Sequence, residues 1–185
     1  MPERTLLPAT TRISSTTLRV ADEKRALALY RDILGLKVLA HENGRLALGT
    51  GDDPFLFLEI APGAEPRPRR GLAGLFHVAI LLPDRAALGR GITRLAKAGI
   101  RLGAADHNVS EAIYLYDADG NGLEIYRDRP RNEWPWQNGL VQMANKPLDF
   151  DGEPIWTDLP TAEDIADRRQ RFHAPYHAAL AAEIG

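Results

Sequence analysis

Asp106-His107-Asn108-Val109-Ser110-Glu111-Ala112-Ile113-Tyr114-Leu115-Tyr116-Asp117-Ala118-Asp119-Gly120-Asn121-Gly122-Leu123-Glu124-Ile125-Tyr126 decides how this chain is read. Glu111–Tyr116 alternates with the period of two of a half-buried strand. Asp117-Ala118-Asp119-Gly120-Asn121-Gly122 is turn chemistry. Leu123–Tyr126 resumes as a strand. The stretch therefore predicts a β-hairpin with His107 at its entrance and Glu124 on its return strand. Asp117-x-Asp119-x-Asn121-Gly122 also has the spacing that opens a calcium-binding EF-hand loop, with Asp128 at the twelfth position. That loop needs a helix on each side, whereas here a strand precedes and Pro130 comes soon after. Glu124 also stands where such a loop is usually apolar. A hairpin turn is the better reading.

Working outward, the hairpin closes a unit that occurs twice. In the first copy, Ile13–Val20 reads as a strand and Asp22 as a helix cap. Leu27, Tyr30 and Leu34 then line one helix face, and Gly35 ends it. Lys37–His41, Arg45–Gly49 and Phe55–Ile60 read as three strands between turn-forming separators. In the second copy, Gly74–Leu82 is an apolar strand and Asp84 the cap. Leu88, Ile92 and Leu95 line the helix, and Gly99 ends it. Arg101–Ala104, Glu111–Tyr116 and Leu123–Tyr126 complete the copy as strands. The fold class expected is α+β, built of two βαβββ modules over residues 12–60 and 74–126. Residues 61–73, rich in proline and charge at Ala61–Arg70, form the linker. Asp22 is matched with Asp84, Ser15 with His77, and Glu59 with Glu124.

Composition bounds the chemistry. The 185 residues are 44% hydrophobic and 26% charged, with a formal net charge of −2. That suits a soluble globular domain, and no electrostatic argument favours nucleic acid or an anionic membrane. The chain has no cysteine, so thiolate metal sites, disulfides and a cysteine nucleophile are excluded. No apolar run approaches a membrane span. Met1–Thr11 lacks the apolar core of a secretory signal, so a cytoplasmic location is expected.

Residues 131–185 form a tail with all three tryptophans, Trp134, Trp136 and Trp156. Large aromatics favour burial, so the tail is expected to pack on its own domain or on a partner chain. Thr161 and Asp164 resemble a helix start, and Pro175 would kink or split a helix continuing through it. His173 and His177 have helical metal-pair spacing, but Pro175 lies between them, so they read as surface histidines.

Four residues elsewhere stand out. His77 interrupts the apolar run Leu75–Leu82. Taken alone, it is a core histidine bonded to backbone, because an unsatisfied polar group is costly there. Glu124 and Glu59, taken alone, are solvent-facing strand residues. His107 comes after Asp106 on a loop, and an imidazole, unperturbed near 6.5, is the side chain suited to proton transfer near neutrality.

The hairpin, with His107, Ile113, Tyr114, Asp117, Gly120 and Glu124, resembles the closing motif of extradiol ring-cleavage dioxygenases of the vicinal-oxygen-chelate (glyoxalase/bleomycin resistance/extradiol dioxygenase) superfamily. Ala105 and Ala118 depart from that motif, the second standing where proline is usual. Gly74–Trp136 is similar to the amino-terminal domain of two-domain bacterial catechol 2,3-dioxygenases. In the related two-domain enzymes the iron lies in the carboxy-terminal domain, of which these 185 residues are expected to hold no counterpart. The resemblance covers about residues 12–130 and implies paired modules around a central cavity. It implies metal ligands at His77 and Glu124, with Glu59 joining in a glyoxalase-like four-position site. It gives His107 a proton-shuttling role and Tyr114 the orienting of a substrate hydroxyl. The implied cofactor is a divalent metal, Fe(II) favoured over Mn, Zn or Ni. The implied partners are a small catechol-like aromatic and a second copy in a homodimer. Ser15 stands where a dioxygenase ligand set needs its other histidine, which implies an impaired or absent metal site. Two other functions fit the same pattern. One is a metal-dependent isomerase or lyase of the glyoxalase kind using Glu59. The other is a non-catalytic protein that captures an aromatic or drug-like ligand.

Overall fold

Asp22 and Asp84 accept hydrogen bonds from the backbone N–H groups of Arg25 and Ala87, each at 2.7 Å. Each aspartate thereby satisfies an orphan donor of the helix it starts. The computed structural model describes residues 7–8, 10–66 and 73–150. In chain order its elements begin with β1 (Thr16–Val20) and α1 (Glu23–Leu27, continued as a π-helix over Ala28–Ile33). Next come three strands, β2 (Lys37–Glu42), β3 (Arg45–Gly49) and β4 (Leu56–Ile60). The second copy holds β5 (Val78–Leu81), α2 (Arg85–Lys97), β6 (Gly103–Asp106), β7 (Ser110–Tyr116) and β8 (Gly122–Asp128). The expected βαβββ order is present twice. Each copy makes a four-stranded sheet, β1-β4-β3-β2 and β5-β8-β7-β6. The first and last strands of each module pair in parallel, and the other pairings are antiparallel.

Several boundaries differ from the sequence reading, for one physical reason. A strand lasts only as long as its ladder. β1 begins at Thr16, opposite Leu56, and Ile13 is left exposed. β5 begins at Val78, opposite Leu123, rather than at Gly74. The apolar run 74–82 is therefore not buried throughout. Val78 and Ile80 face the core, while Ala79 and Leu81 face outward and are exposed. β6 lies two residues later than expected, at Gly103–Asp106. The first helix also departs from plain α geometry. Its second half closes i→i+5 bonds, such as Leu34 N–H to the Leu29 carbonyl at 2.9 Å. These wider turns hold Leu29 and Tyr30 in the core.

One contiguous apolar core joins both modules. Leu18, Val20, Leu56 and Leu58 meet Leu88, Ile92, Leu95, Leu123 and Ile125 in it. The helix-bearing faces of both sheets thus share this core. The β7–β8 turn fastens the modules together. One Asp117 carboxylate oxygen accepts from the backbone N–H groups of Asp119 and Asn121. The other accepts from the Asn121 side chain and, across the module boundary, from the Tyr30 hydroxyl at 2.9 Å. Asp119 accepts from the Ala21 N–H, and Asn121 donates to the Arg19 carbonyl. Burial and the charge of Asp117 push the Tyr30 hydroxyl pKa far up, so it remains a donor.

Beyond β8 the chain makes a 3₁₀ turn (Arg131–Glu133) and a small hairpin, β9 (Trp136–Gln137) with β10 (Leu140–Val141). The two tryptophans of the described tail differ in burial within the single chain. Trp134 is half-buried and donates to the Arg129 carbonyl, but Trp136, stacked on it, is 49% exposed. The anchors of this segment are Leu148 and Phe150, both in the core. Trp156, Thr161, Asp164, His173, Pro175 and His177 lie outside the described residues.

Replacing Tyr30 with Phe removes one neutral donor to a buried carboxylate. The expected loss is about 1.5–3 kcal/mol, seen as a fall of roughly 3–12 °C in Tm. An unchanged melting curve would show that the Asp117 turn does not couple the modules.

Candidate functional site

β8 turns Leu123 and Ile125 toward α2 and the core, so Glu124 and Tyr126 must point to the opposite face. On that face the ladder aligns Ala79 on β5, Glu124 on β8, Tyr114 on β7 and Gly103 on β6. The small residues at both ends of this row leave the two polar groups uncrowded. His77 lies two residues before Ala79. Its Nε2 is 2.7 Å from one Glu124 carboxylate oxygen. The Tyr114 hydroxyl is 2.9 Å from the other. His107 stands just past β6, where Asn108 takes a left-handed φ of 67° to make the turn. The His107 Nε2 is 2.7 Å from the Tyr114 hydroxyl, and its Nδ1 is 2.8 Å from the Ala144 carbonyl. His77, Glu124, Tyr114 and His107 thus form one continuous polar chain, and the sequence reading named all four.

Glu59 is not part of it. Counting from the helix caps, Ser15 matches His77 and Thr17 matches Ala79. Thr17 pairs with Phe57, whereas Ala79 pairs with Glu124. The first-module counterpart of Glu124 is therefore Phe57, and Glu59 corresponds to Tyr126. Glu59 is half-exposed and lies 3.7 Å from Arg19. The equivalence of Glu59 with Glu124 is corrected by this two-residue difference in register. Phe57 is covered by the Arg45 guanidinium, 4.0 Å from its ring centroid. Ser15 is exposed. The first module thus has neither an imidazole nor a carboxylate at these two matching positions.

The fit to a divalent metal is partial. His77 Nε2 and Glu124 are suitable nitrogen and oxygen donors, and the Tyr114 hydroxyl can donate to the Glu124 oxygen that does not face His77. The other nitrogen of His77 is buried with no hydrogen-bond partner, whereas a ligating imidazole ordinarily donates that N–H to an acceptor. Among the described residues no three His, Asp or Glu side chains converge on one point. Two donors are present; a set of two histidines and one carboxylate is not.

A second polar cluster went unnoticed in the sequence. Glu111, 2% exposed, receives the guanidinium groups of Arg85, Arg127 and Arg129 at 2.8–3.1 Å. Arg129 also grips Asp106 with two bonds, at 2.6 and 2.9 Å. Burial raises the Asp106 pKa, but these bonds, the Asn108 N–H and nearby charge outweigh it and hold the group below its ordinary value. A glutamate in an alternating strand gives no sign of burial unless the arginines of other elements are known to converge on it.

The family description "Glyoxalase/Bleomycin resistance protein/Dioxygenase superfamily" matches residues 12–125. A protein of Bacillus subtilis (strain 168) named catechol-2,3-dioxygenase is 41% identical over 144 residues, which cover 77% of this chain. The chain spans about half the length of that relative, the match covering 50% of it. A glyoxalase/dioxygenase structure from Nostoc punctiforme superposes with a TM-score of 0.59 at 21% identity, covering 70% of this chain and 100% of that one. A glyoxylase/bleomycin resistance protein/dioxygenase domain from Frankia sp. EAN1pec gives 0.57 at 21%, covering 65% and 100%. At these identities the structures show the shared fold.

Two measurements check this geometry. A Cβ at Gly122 would run into the backbone carbonyl of Phe76 and stand 3.2 Å from the His77 Cβ. Gly122→Ala is therefore expected to cost about 1–3 kcal/mol and to displace His77, read as a changed His77 NMR resonance. An unchanged resonance and Tm would refute the close approach. The second concerns Asp106, whose folded pKa lies below the unfolded 3.8. Its stabilisation is present above the unfolded value and is lost as pH falls through the folded one. Asp106→Asn is expected to flatten the fall of stability below about pH 4, monitored by urea unfolding across pH.

Proposed function

The chain belongs to the Glyoxalase/Bleomycin resistance protein/Dioxygenase superfamily, and from that premise we propose that it is a dioxygenase-like member acting on a catechol-like aromatic. The observation that carries this reading is the continuous chain from His77 through Glu124 and Tyr114 to His107. It gathers two metal-type donors, a hydroxyl and an imidazole base on one face. The 41% identity to a protein named catechol-2,3-dioxygenase supports it, as does the superfamily fold.

His77 and Glu124 would be the ligands this chain offers to a divalent ion, Fe(II) favoured. Such an ion, when bound, supplies Lewis acidity toward the two vicinal oxygens of the substrate. The chain's own groups do the rest. The tyrosine hydroxyl carries a single hydrogen, which it can give either to Glu124 or to His107 Nε2. A substrate hydroxyl beside Tyr114 would meet a donor whose second partner is a base. His107 would take the proton at Nε2, and Tyr114 would orient the oxygen that loses it. Ala79 and Leu81, exposed on the face that carries Glu124, and the exposed Phe76, whose ring centroid is 5.1 Å from that of His77, lie near this chain. They offer apolar surface for an aromatic ring or for a second copy, and we propose a homodimer in a cytoplasmic setting.

A second reading is favoured by Ser15 and by Phe57, which leave the first module without ligands. In it the same face binds an aromatic molecule without turnover. The glyoxalase-type isomerase draws no such support, because Glu59 stands apart from His77 and Glu124.

The test is anaerobic loading with Fe(II), metal analysis, and oxygen uptake with catechol. The dioxygenase reading expects bound iron that His77→Ala abolishes, and turnover that His107→Ala lowers by about 10²–10⁴-fold. Ser15→His is expected to raise iron affinity if the modules cooperate in one site. Saturable catechol binding with no iron and no oxygen uptake would establish the binding protein in its place.

A further inference from the structure

The His107 ring is held by a segment that lies past residues 12–125, the extent of the superfamily match. Gln142–Lys146 runs alongside the loop Asp106–Asn108 and is stitched to it at every second residue. The Gln142 carbonyl accepts from the Asn108 side-chain amide at 2.9 Å. The Ala144 N–H donates to the His107 carbonyl at 3.2 Å, and the Ala144 carbonyl faces His107 Nδ1 at 2.8 Å. Lys146 and Asp106 exchange both backbone bonds, at 2.8 and 2.9 Å. The Lys146 ammonium donates to the Asn108 side-chain oxygen at 2.8 Å. Just beyond, Leu148 and Phe150 enter the apolar core, and Arg85 holds the Asp149 carbonyl at 2.6 Å. The segment is thus a strap drawn over the loop and anchored at its far end by burial.

We propose that this strap is a positioning element for His107, fixing its proton on Nδ1 and presenting a bare Nε2 to Tyr114. A backbone carbonyl can only accept, so a 2.8 Å contact to Ala144 requires hydrogen on Nδ1. In the neutral ring Nε2 is then an acceptor, 2.7 Å from the Tyr114 hydroxyl. Which nitrogen of an imidazole is free depends on what the other one bonds. Here the strap makes that choice, and the residue that makes it contributes only main chain. Asn108 ties the strap to the loop from both sides of Ala144, and its left-handed φ is one that asparagine tolerates. The catalytic consequence rests on the role proposed for His107 above; the tautomer does not.

The experiment uses the full chain with ¹⁵N-labelled histidine, at roughly pH 8.5, about two units above the ordinary imidazole pKa. Wild type is expected to show His107 as the Nδ1–H tautomer. Asn108→Gly with Ala144→Pro keeps the permitted φ at 108 and removes both Asn108 bonds and the Ala144 N–H bond. Its His107 signals are expected to move toward the Nε2–H form or a mixture. Tyr114→Phe is expected to retain the Nδ1–H form, because the strap and not the tyrosine sets it. Should the double variant fail to fold, Asn108→Gly alone is read for a partial shift. Wild type in the Nε2–H form would overturn the proposal. So would a folded double variant with unchanged signals, an unshifted Asn108→Gly where that variant alone is read, or Tyr114→Phe alone moving the tautomer. The readout needs neither metal nor turnover. A shifted tautomer together with full activity in His107→Ala would therefore sink the catalytic reading while leaving the strap's role standing.

Discussion

The Asp117 carboxylate is the constraint on which the rest of this molecule depends. It organises the β7–β8 turn from within, by accepting from Asp119 and Asn121, and it reaches out of the turn to Tyr30 in the other module. Turn and module junction are therefore one structure. β7 carries Tyr114 and β8 carries Glu124, so the same turn sets the register that brings these side chains together. Its oxygens already hold four donors. That is why the EF-hand-like spacing has no bearing on calcium: the carboxylate that would be the first ligand is engaged within the protein.

How much of this was legible in the sequence depends on the range of each interaction. Caps and turns are local, so Asp22, Asp84, Gly35, Gly99 and the β7–β8 hairpin could be read directly, and with them the doubled βαβββ order. The residues of the polar chain were picked out by resemblance to the superfamily's motif; read alone, Glu124 was a solvent-facing strand residue and His77 a core histidine. Glu59 was misplaced because strand register is a pairing property. Phe57 and Glu59 lie on the same face of β4, and only the ladder to Thr17 shows which of them answers to Glu124. A two-residue error leaves the hydrophobic alternation intact and so leaves no trace in the pattern.

Long-range polar contacts were invisible. Glu111 stood in the sequence only as the first residue of an alternating strand, yet it is nearly fully buried beneath arginines from α2 and β8 and Arg129 just beyond it. Such a site is stable only with its partners in place. Removing one side of a buried pair typically costs about 3–5 kcal/mol because the remaining charge has no solvent to return to. The described part of the tail, residues 131–150, shows the same limit. Tryptophans drew attention as the expected anchors, whereas Trp136 rests half-exposed on Trp134 and the core takes Leu148 and Phe150. Aromatic size predicts that burial would be favourable; it does not say whether the backbone can deliver the ring to the core.

The two modules share a backbone plan and differ in what they present. On the second, the site face carries His77, Glu124, Tyr114 and His107. On the first, the positions matching His77, Glu124 and Tyr114 hold Ser15, Phe57 and Ala47, with the Arg45 guanidinium lying over the Phe57 ring. The core faces of the last strands do not distinguish the halves, because Leu56 and Leu58 do for β4 what Leu123 and Ile125 do for β8. The period of two makes this independence possible. Alternate residues of one strand answer to packing, and the residues between them are free to carry chemistry or to lose it. A duplicated fold can thus keep both halves for stability while confining its polar machinery to one.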